Sequence, residues 1–68
     1  MHKLPQVLKE LRENRGLTQE ALATLLKYKS SVTIVKWENG SRTPDLENLI
    51  MLAKFFHVSL DVLVGLED

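Results

Sequence analysis

The segment from Ser30 to Gly40, SSVTIVKWENG, constrains the fold class most strongly, because it carries signals for both a strand and a helix. Its four consecutive β-branched residues, at positions 32–35, favour a strand, and Asn39-Gly40 favours a hairpin turn. A hairpin requires a second alternating strand, whereas the chain continues with Ser-Arg-Thr-Pro-Asp, which is typical of a loop and a helix start. The segment is therefore predicted to be a helix that is capped by Ser30 or Ser31 and ends at Gly40.

Helical signals also fill the rest of the chain. Apolar residues recur every three or four positions, and capping residues divide the pattern into segments with short connections. The apolar stripes contain Leu4, Val7, Leu8 and Leu11 in the first helix, Leu22, Leu25 and Leu26 in the second, Ile34 and Trp37 in the third, and Leu46, Leu49, Leu52, Ala53 and Phe56 in the fourth. The predicted N-caps are Thr18, Asp45 and Ser59, and the predicted ends are at Gly16, Gly40, Phe56 and Gly65. Five helices without a repeat or a linker predict a single compact all-α domain over residues 1–68.

One modest core has to stabilise this domain. The chain has 68 residues and no cysteine, which excludes a disulfide framework and a thiolate metal site. Below about 70–80 residues a fold usually needs such a staple or a partner subunit, so the small size favours a homodimer. The longest apolar runs, 49–53 and 62–64, are too short to span a membrane, and the N-terminus lacks the apolar stretch of a signal peptide. A soluble cytoplasmic domain is expected.

The charges are unevenly distributed although the net charge is zero. Residues 1–42 hold eight Lys or Arg against four Glu, a net charge of +4, and residues 43–68 hold one Lys against five acidic residues, a net charge of −4. Such asymmetry can arise by chance. It also allows one face of a small domain to contact a polyanion while the other face turns away from it.

The titratable residues do not form a catalytic or metal-binding pattern. The histidines are His2 and His57, the carboxylates are scattered along the helices, and there is no glycine-rich phosphate loop. His57 stands where the fourth helix is predicted to end, and His tolerates a left-handed backbone better than most residues, so a cap is favoured over a ligand or a base. The sequence therefore predicts no enzyme activity, no cofactor, no metal and no small-molecule ligand.

Many separated residues follow one known pattern in order. They are Leu11-Arg12, Gly16-Leu17-Thr18-Gln19-Glu20, Leu22-Ala23, Ile34, Lys36-Trp37-Glu38-Asn39-Gly40, Pro44, Leu49, Leu52-Ala53 and Val58-Ser59-Leu60. This pattern resembles the XRE/Cro-type helix-turn-helix regulators, which include phage repressors, Cro proteins and their bacterial relatives. The resemblance covers nearly the whole chain. It implies a five-helix lambda-repressor-like domain, bacterial or phage-encoded, whose helices 2 and 3 form the helix-turn-helix.

The turn between these two helices departs from the family pattern. Relatives usually have a Gly after the second helix and one fewer residue before the Trp. Here Lys27 takes the Gly position, and Tyr28-Lys29-Ser30 makes the turn about one residue longer. The start of the third helix, and the roles assigned from Lys29 to Val32, can therefore shift by one position.

The resemblance implies a transcriptional regulator that binds double-stranded DNA sequence-specifically, with the third helix in the major groove and the second across the backbone. Repression by covering a promoter is the implied mode of action, and activation stays open. The alternative, from another class, is an antitoxin or other protein-interaction module with the same fold. Antitoxins often carry an extra toxin-binding segment, and this chain ends soon after the fifth helix, which favours the regulator.

Helical spacing places Val32 and Val35 on the outer side of the third helix, where no core reaches them. There they fit thymine methyl groups in a major groove, or alternatively pack on a neighbouring element. Predicted base contacts are Ser31, Val32, Thr33, Val35 and Lys36. Predicted phosphate contacts are Thr18, Gln19, Lys27, Lys29, Asn39, Ser41 and Arg42. Because no Arg, Asn or Gln stands early in this helix, readout is expected to depend on methyl contacts and DNA shape.

Met51, Phe55 and Val62 are large apolar residues where relatives commonly have polar or small ones. They are candidates for the homodimer interface, unless they simply fill an irregular core. A homodimer would require a palindromic operator with half-sites about one helical turn apart, roughly 34 Å from centre to centre.

Overall fold

The computed structural model describes residues 3–66, which form five α-helices and no strand. The helices are α1 Leu4–Asn14, α2 Gln19–Leu25, α3 Val32–Asn39, α4 Leu46–Phe56 and α5 Leu60–Leu63. The all-α prediction is confirmed, including the helix in the ambiguous segment before Gly40. His2 lies outside the described residues.

Three helices begin at the predicted caps. The side chain of Thr18 accepts the N–H of Ala21 at 3.0 Å, that of Asp45 accepts the N–H of Asn48 at 2.9 Å, and that of Ser59 accepts the N–H of Val62 at 3.1 Å. Each bond satisfies a backbone donor that the first turn of a helix leaves unpaired, and such a cap contributes about 1 kcal/mol.

The start of α3 is less firmly capped. Ser31 occupies the N-cap position, but its side chain accepts no capping hydrogen bond. The hydroxyl of Ser30 lies 3.4 Å from the backbone nitrogen of Val32, which is long for a hydrogen bond. Ser31 thus occupies the predicted cap position, while the side-chain contact to the start of the helix comes from Ser30. The other end agrees with the prediction, because Gly40 ends α3 in the left-handed conformation.

Two helices end at residues other than glycine in the left-handed conformation. His57 has a φ of 57° after α4, where the N–H of Val58 returns to the carbonyl of Ala53 at 3.0 Å. The predicted cap role of His57 is confirmed. Lys27 has a φ of 67° after α2. A side chain there costs roughly 1–2 kcal/mol, which explains physically why a Gly suits this position.

The core lies where α1 packs against α3 and α5, α2 against α3, and α4 against α5. Its fully buried side chains are Leu4, Leu8, Leu22, Ile34, Leu52 and Leu63. Trp37 is also buried, and the ring of Tyr28 meets it edge to face at a centroid distance of 5.9 Å. The Tyr28 hydroxyl donates to Asn48 Oδ1 at 2.8 Å, so the long turn before α3 is attached to α4.

Two residues of the predicted apolar stripes face solvent. Leu25 is 53% exposed and Leu46 is 65% exposed. At about 100° per residue, Leu25 points roughly 110° away from the direction shared by Leu22 and Ala23. Leu46 is the first residue of α4 and points within about 20° of the buried Ala53, so its exposure comes from its position at the end of the helix, where no other element of the described chain covers it. The prediction for Leu25 was wrong because its helical angle points away from the core, and the prediction for Leu46 was wrong because the core does not extend to the start of α4.

Candidate nucleic-acid interface

The two sides of α3 have different surroundings. Ile34 and Trp37 are buried on one side, whereas Val32 is 54% exposed and Val35 is 36% exposed on the other. Lys36 and Asn39 are exposed as well. The predicted outward orientation of the valines is confirmed, and no other element of residues 3–66 covers them. The helix therefore presents an apolar surface with polar neighbours to the outside.

A buried ion pair fixes the position of α3 against α1. Nε of Arg12 lies 2.7 Å from Oε2 of Glu38, and Nη2 donates to Oε1 at 3.0 Å. The two side chains are 9% and 5% exposed. Parallel bonds between a guanidinium and a carboxylate restrict both distance and angle, so the pair sets the orientation of α3 as well as its separation from α1.

The same arginine also fixes the corner between α1 and α2. Its Nη1 donates to the carbonyl oxygen of Leu17 at 2.6 Å. The hydrogen bond to Glu38 raises the pKa of Arg12 above its ordinary value, in spite of the opposing effect of burial. The guanidinium therefore stays charged at physiological pH.

Glu38 joins the second helix to this arrangement. Nε2 of Gln19, the first residue of α2, donates to Oε1 of Glu38 at 3.2 Å. Gln19 is half-buried, and a side-chain amide has two N–H donors, so one of them remains for an outside ligand. The two helices of the turn are consequently held together through one carboxylate.

The sequence contained half of the signal for this pair. Arg12 follows Leu4 and Leu8 at intervals of four, which places it in the buried stripe of α1. A buried charge requires a partner, so an acidic residue had to lie opposite it. Nothing local identified Glu38, which is 26 residues away along the chain.

Two hollows flank α3, and five of the predicted contacts line one or the other. One is lined by Gln19, Val35 and Asn39 together with Lys9 and the Arg12–Glu38 pair. The other contains Thr33 and Arg42 beside the start of α4. Lys9 was not among the predicted contacts, because only the packing of α1 on α3 brings its side chain to this surface.

The segment after α3 folds back on the helix end. Asn39 Oδ1 accepts the N–H of Ser41 at 2.8 Å, and the N–H of Arg42 donates to the carbonyl of Lys36 at 3.2 Å. The structure thereby brings the exposed residues Lys36, Asn39, Ser41 and Arg42 together at one end of α3.

The predicted contacts in and before the long turn are more dispersed. Thr18 is exposed with its hydroxyl engaged as the α2 cap, Ser31 is half-buried, and Lys29 is exposed in the turn. Lys27 is exposed too, but it lines a hollow with residues of α2 and α4 rather than with α3. Lys27 therefore does not line the hollow that contains Val35.

The three candidates for a dimer interface are half-buried. Met51 and Phe55 pack against the core, and the guanidinium of Arg15 lies 5.0 Å from the centre of the Phe55 ring. Val62 is half-buried on α5. Apart from the two valines of α3, the large apolar residues with the most exposure are Leu25, Leu46, Ile50, Leu60 and Leu66.

Metal clusters and membrane-spanning helices are both absent between Lys3 and Leu66. In this part of the chain, no group of three or more His, Cys, Asp or Glu residues is arranged to hold a metal ion. None of its helices has the length and apolar character needed to cross a membrane.

Comparison with known proteins places this geometry in context. Residues 8–63 match the family model described as Helix-turn-helix. The chain is 44% identical over 61 residues to the HTH-type transcriptional activator BcrR of Enterococcus faecalis, which covers 90% of this chain and 29% of that relative. It is 36% identical over 63 residues to the uncharacterized HTH-type transcriptional regulator YobD of Bacillus subtilis, covering 93% and 55%.

A solved structure agrees with the fold over the whole chain. The crystal structure of a transcriptional regulator from Listeria innocua superposes with a TM-score of 0.86 at 35% identity, covering 100% of this chain and 63% of that one. The chain spans less than two thirds of the length of each of these relatives.

Proposed function

This chain belongs to the XRE-type helix-turn-helix family of transcriptional regulators, which are not enzymes, and from that membership we propose that it binds double-stranded DNA sequence-specifically. In the proposed complex α3 lies in the major groove and α2 crosses the phosphate backbone. Residues 1–68 act as one DNA-binding domain.

The exposed valines of α3 are the observation that carries the proposal. Val32 and Val35 lie outward on a helix whose inner side is core, and the Arg12–Glu38 pair holds that helix in a fixed orientation. Solvent-exposed valines contribute nothing to the core, whereas methyl groups of thymine offer them an apolar contact in the major groove. Ser31 and Thr33 complete the proposed base contacts, whereas Lys36 is proposed to act mainly through phosphate, because it lies beside Ser41 and Arg42 at the end of α3.

The proposed phosphate contacts fix the register of the protein on the duplex. Gln19 and Thr18 stand at the start of α2, where backbone N–H groups also attract anions. Lys36, Asn39, Ser41 and Arg42 lie together at the end of α3, and Lys27 and Lys29 lie in the turn before it. Lys9 joins this set, because it shares a hollow with Gln19 and Val35.

The proposed active species is a homodimer on a palindromic operator. The small core supports a need for a partner subunit, and two-fold symmetry would place the half-sites about 34 Å apart. Selection of bound sites from random duplexes should enrich a palindrome with that spacing. Val32→Ala should relax one base pair in each half-site, while Leu66→Ala, an exposed apolar truncation outside α3, should leave the site unchanged. A bound pool without any enriched sequence would refute sequence-specific binding.

Repression by covering a promoter is the proposed direction of regulation. The relative from Enterococcus faecalis is named an activator, so the direction needs its own test. A reporter gene whose promoter overlaps the selected site should lose expression when the protein is present. A rise in expression would instead assign the chain to activation.

A further inference from the structure

The outward side of α4 carries a stripe of four residues, of which three are exposed and the fourth, Met51, also packs against the core. Glu47, Ile50, Met51 and Lys54 follow one another at intervals of three and four, so they share one side of the helix. Glu47 and Lys54 are exposed, Ile50 is 38% exposed and Met51 is half-buried. Neither charged side chain forms an ion pair within residues 3–66.

Apolar surface borders this stripe on both sides. A hollow lined by Leu25, Leu26 and Phe55 lies along one edge, and a hollow lined by Val58 and Leu60 lies along the other. Ile50 and Lys54 line both of them. No residue of α3 lines either hollow, and Lys27, a proposed phosphate contact, lines only the first of them, so the apolar surface borders the proposed DNA interface at that residue.

The order of residues in the stripe is self-complementary. If two copies of α4 pack antiparallel about a two-fold axis between residues 50 and 51, Glu47 of each copy faces Lys54 of the other. The same operation places Ile50 opposite Met51 of the second copy. A symmetric interface uses one surface twice, and this surface then pairs opposite charges at its ends and apolar side chains at its centre.

We propose that two copies of this chain associate through antiparallel pairing of α4. The charges select a second copy as the occupant, since each end of the stripe supplies what the other end lacks. The inference deepens the proposed homodimer and rests on it for the identity of the partner. Of the three interface candidates predicted from the sequence, Met51 and Phe55 belong to the proposed α4 interface and Val62 does not. Ile50 and Leu60 are added to it.

The positions of Glu47 and Lys54 also have an explanation within a single helix. Glu47 lies in the first turn of α4 and Lys54 in its last turn, where each charge favours the helix dipole. A dipole role predicts that exchanging the two charges lowers the melting temperature and has no specific effect on association. Pairing between copies predicts instead that either single reversal weakens association and that the exchange restores it.

Sedimentation equilibrium of the 68-residue chain without DNA tests the pairing. The wild-type chain should show a reversible monomer–dimer equilibrium. Lys54→Glu and Glu47→Lys should each raise the dimer dissociation constant by about 10-fold, because two exposed ion pairs are replaced by repulsive pairs. The double variant Glu47→Lys/Lys54→Glu, with unchanged net charge, should return to within about 3-fold of the wild type. Glu10→Lys, a reversal on the exposed side of α1, is the matched control and should have little effect.

Ile50→Ala provides a test that does not depend on charge. It removes apolar surface from the centre of the interface in both copies and should weaken the dimer by at least about 10-fold, with a melt confirming that the monomer is folded. A wild-type chain that stays monomeric, or a double variant that associates as poorly as either single reversal, would overturn the proposal.

DNA binding gives an independent result. A chain that stays monomeric in solution but still binds a selected operator would refute α4 pairing and leave the proposed sequence-specific DNA binding standing. A chain that dimerises through α4 but binds no DNA would support α4 pairing and refute the proposed DNA binding.

Discussion

Arg12 and Glu38 are opposite charges that meet inside the domain, whereas Glu47 and Lys54 are opposite charges that lie apart on the surface of α4. The first pair is buried between α1 and α3 and joined by two parallel hydrogen bonds. The second lies exposed on α4, with no ion pair inside the described chain. Burial makes the first pair an internal brace that orients α3, because each charge would be costly without the other. Exposure leaves the second pair available to another molecule.

Breaking the buried pair should have the largest effect. Arg12→Met leaves Glu38 buried with only the Gln19 amide as a donor, so the free energy of unfolding should fall by about 3 kcal/mol. For a domain of this size such a decrease lowers the melting temperature by roughly 15 °C.

Glu10→Gln removes a solvated charge from the same helix and should change stability by less than about 0.5 kcal/mol. Arg12→Met/Glu38→Met should recover part of the stability, because no buried charge remains unpaired. Equal melting temperatures for Arg12→Met and Glu10→Gln would contradict the proposal that the buried pair stabilises the packing of α3 on α1.

The contact between Tyr28 and α4 should have a smaller effect that depends on pH. Burial, with a lesser contribution from Asp45, raises the pKa of Tyr28 above its ordinary value of 10.0. The folded state therefore holds the phenolic proton more tightly, and the stabilisation is present below about pH 10 and disappears as the pH rises through the folded-state pKa. Tyr28→Phe should cost about 1 kcal/mol at neutral pH, because it removes the hydrogen bond to Asn48.

Urea melts of both proteins between pH 8 and pH 11 on the same buffer series would measure this difference. The gap in stability should narrow above about pH 10, since only the wild type has the phenol. A constant gap over the whole range would contradict the assigned cause of the shift.

The backbone of Lys27 should give the smallest effect on stability and the opposite sign. Lys27→Gly removes the strain of a left-handed side chain and should raise the free energy of unfolding by about 0.5–1 kcal/mol, because the greater freedom of Gly in the unfolded chain offsets part of the gain. Lys27→Ala is the matched control, because it removes the same charge and keeps the strain. Thermal melts in which the two variants are equally stable would refute the backbone explanation.

Local patterns in the sequence predicted all five helices and most of their ends, but left the start of α3 between Ser30 and Ser31. Thr18, Asp45, Ser59, Gly40 and His57 are caps because their chemistry suits a particular backbone position, which does not depend on distant contacts. The outward orientation of Val32 and Val35 likewise follows from the angle between neighbours on one helix.

Contacts between distant segments could not be predicted from such local patterns, because they depend on how the helices pack. The partner of Arg12 lies 26 residues away, and Lys9 reaches the proposed interface only because α1 packs on α3. Leu25 and Leu46 are exposed although both are hydrophobic, Leu25 because of its helical angle and Leu46 because it lies at the start of α4. The stripe on α4 could not be predicted from the sequence, because Ile50 and Leu52 are both apolar and only the structure shows that Ile50 is exposed and Leu52 is buried.

A salt titration of Val35→Ala beside Lys36→Ala, on the best selected site and on a random duplex, tests most directly whether the braced α3 reads DNA through its outward valines. Val35→Ala should cost on the order of 1 kcal/mol on the selected site alone, with an unchanged salt slope and an unchanged melting temperature. Lys36→Ala should weaken binding to both duplexes and reduce the salt slope by about 1 for each phosphate group that the lysine no longer neutralises. A Val35→Ala protein that melts earlier yet keeps its DNA preference would contradict the outward valine as the reading residue.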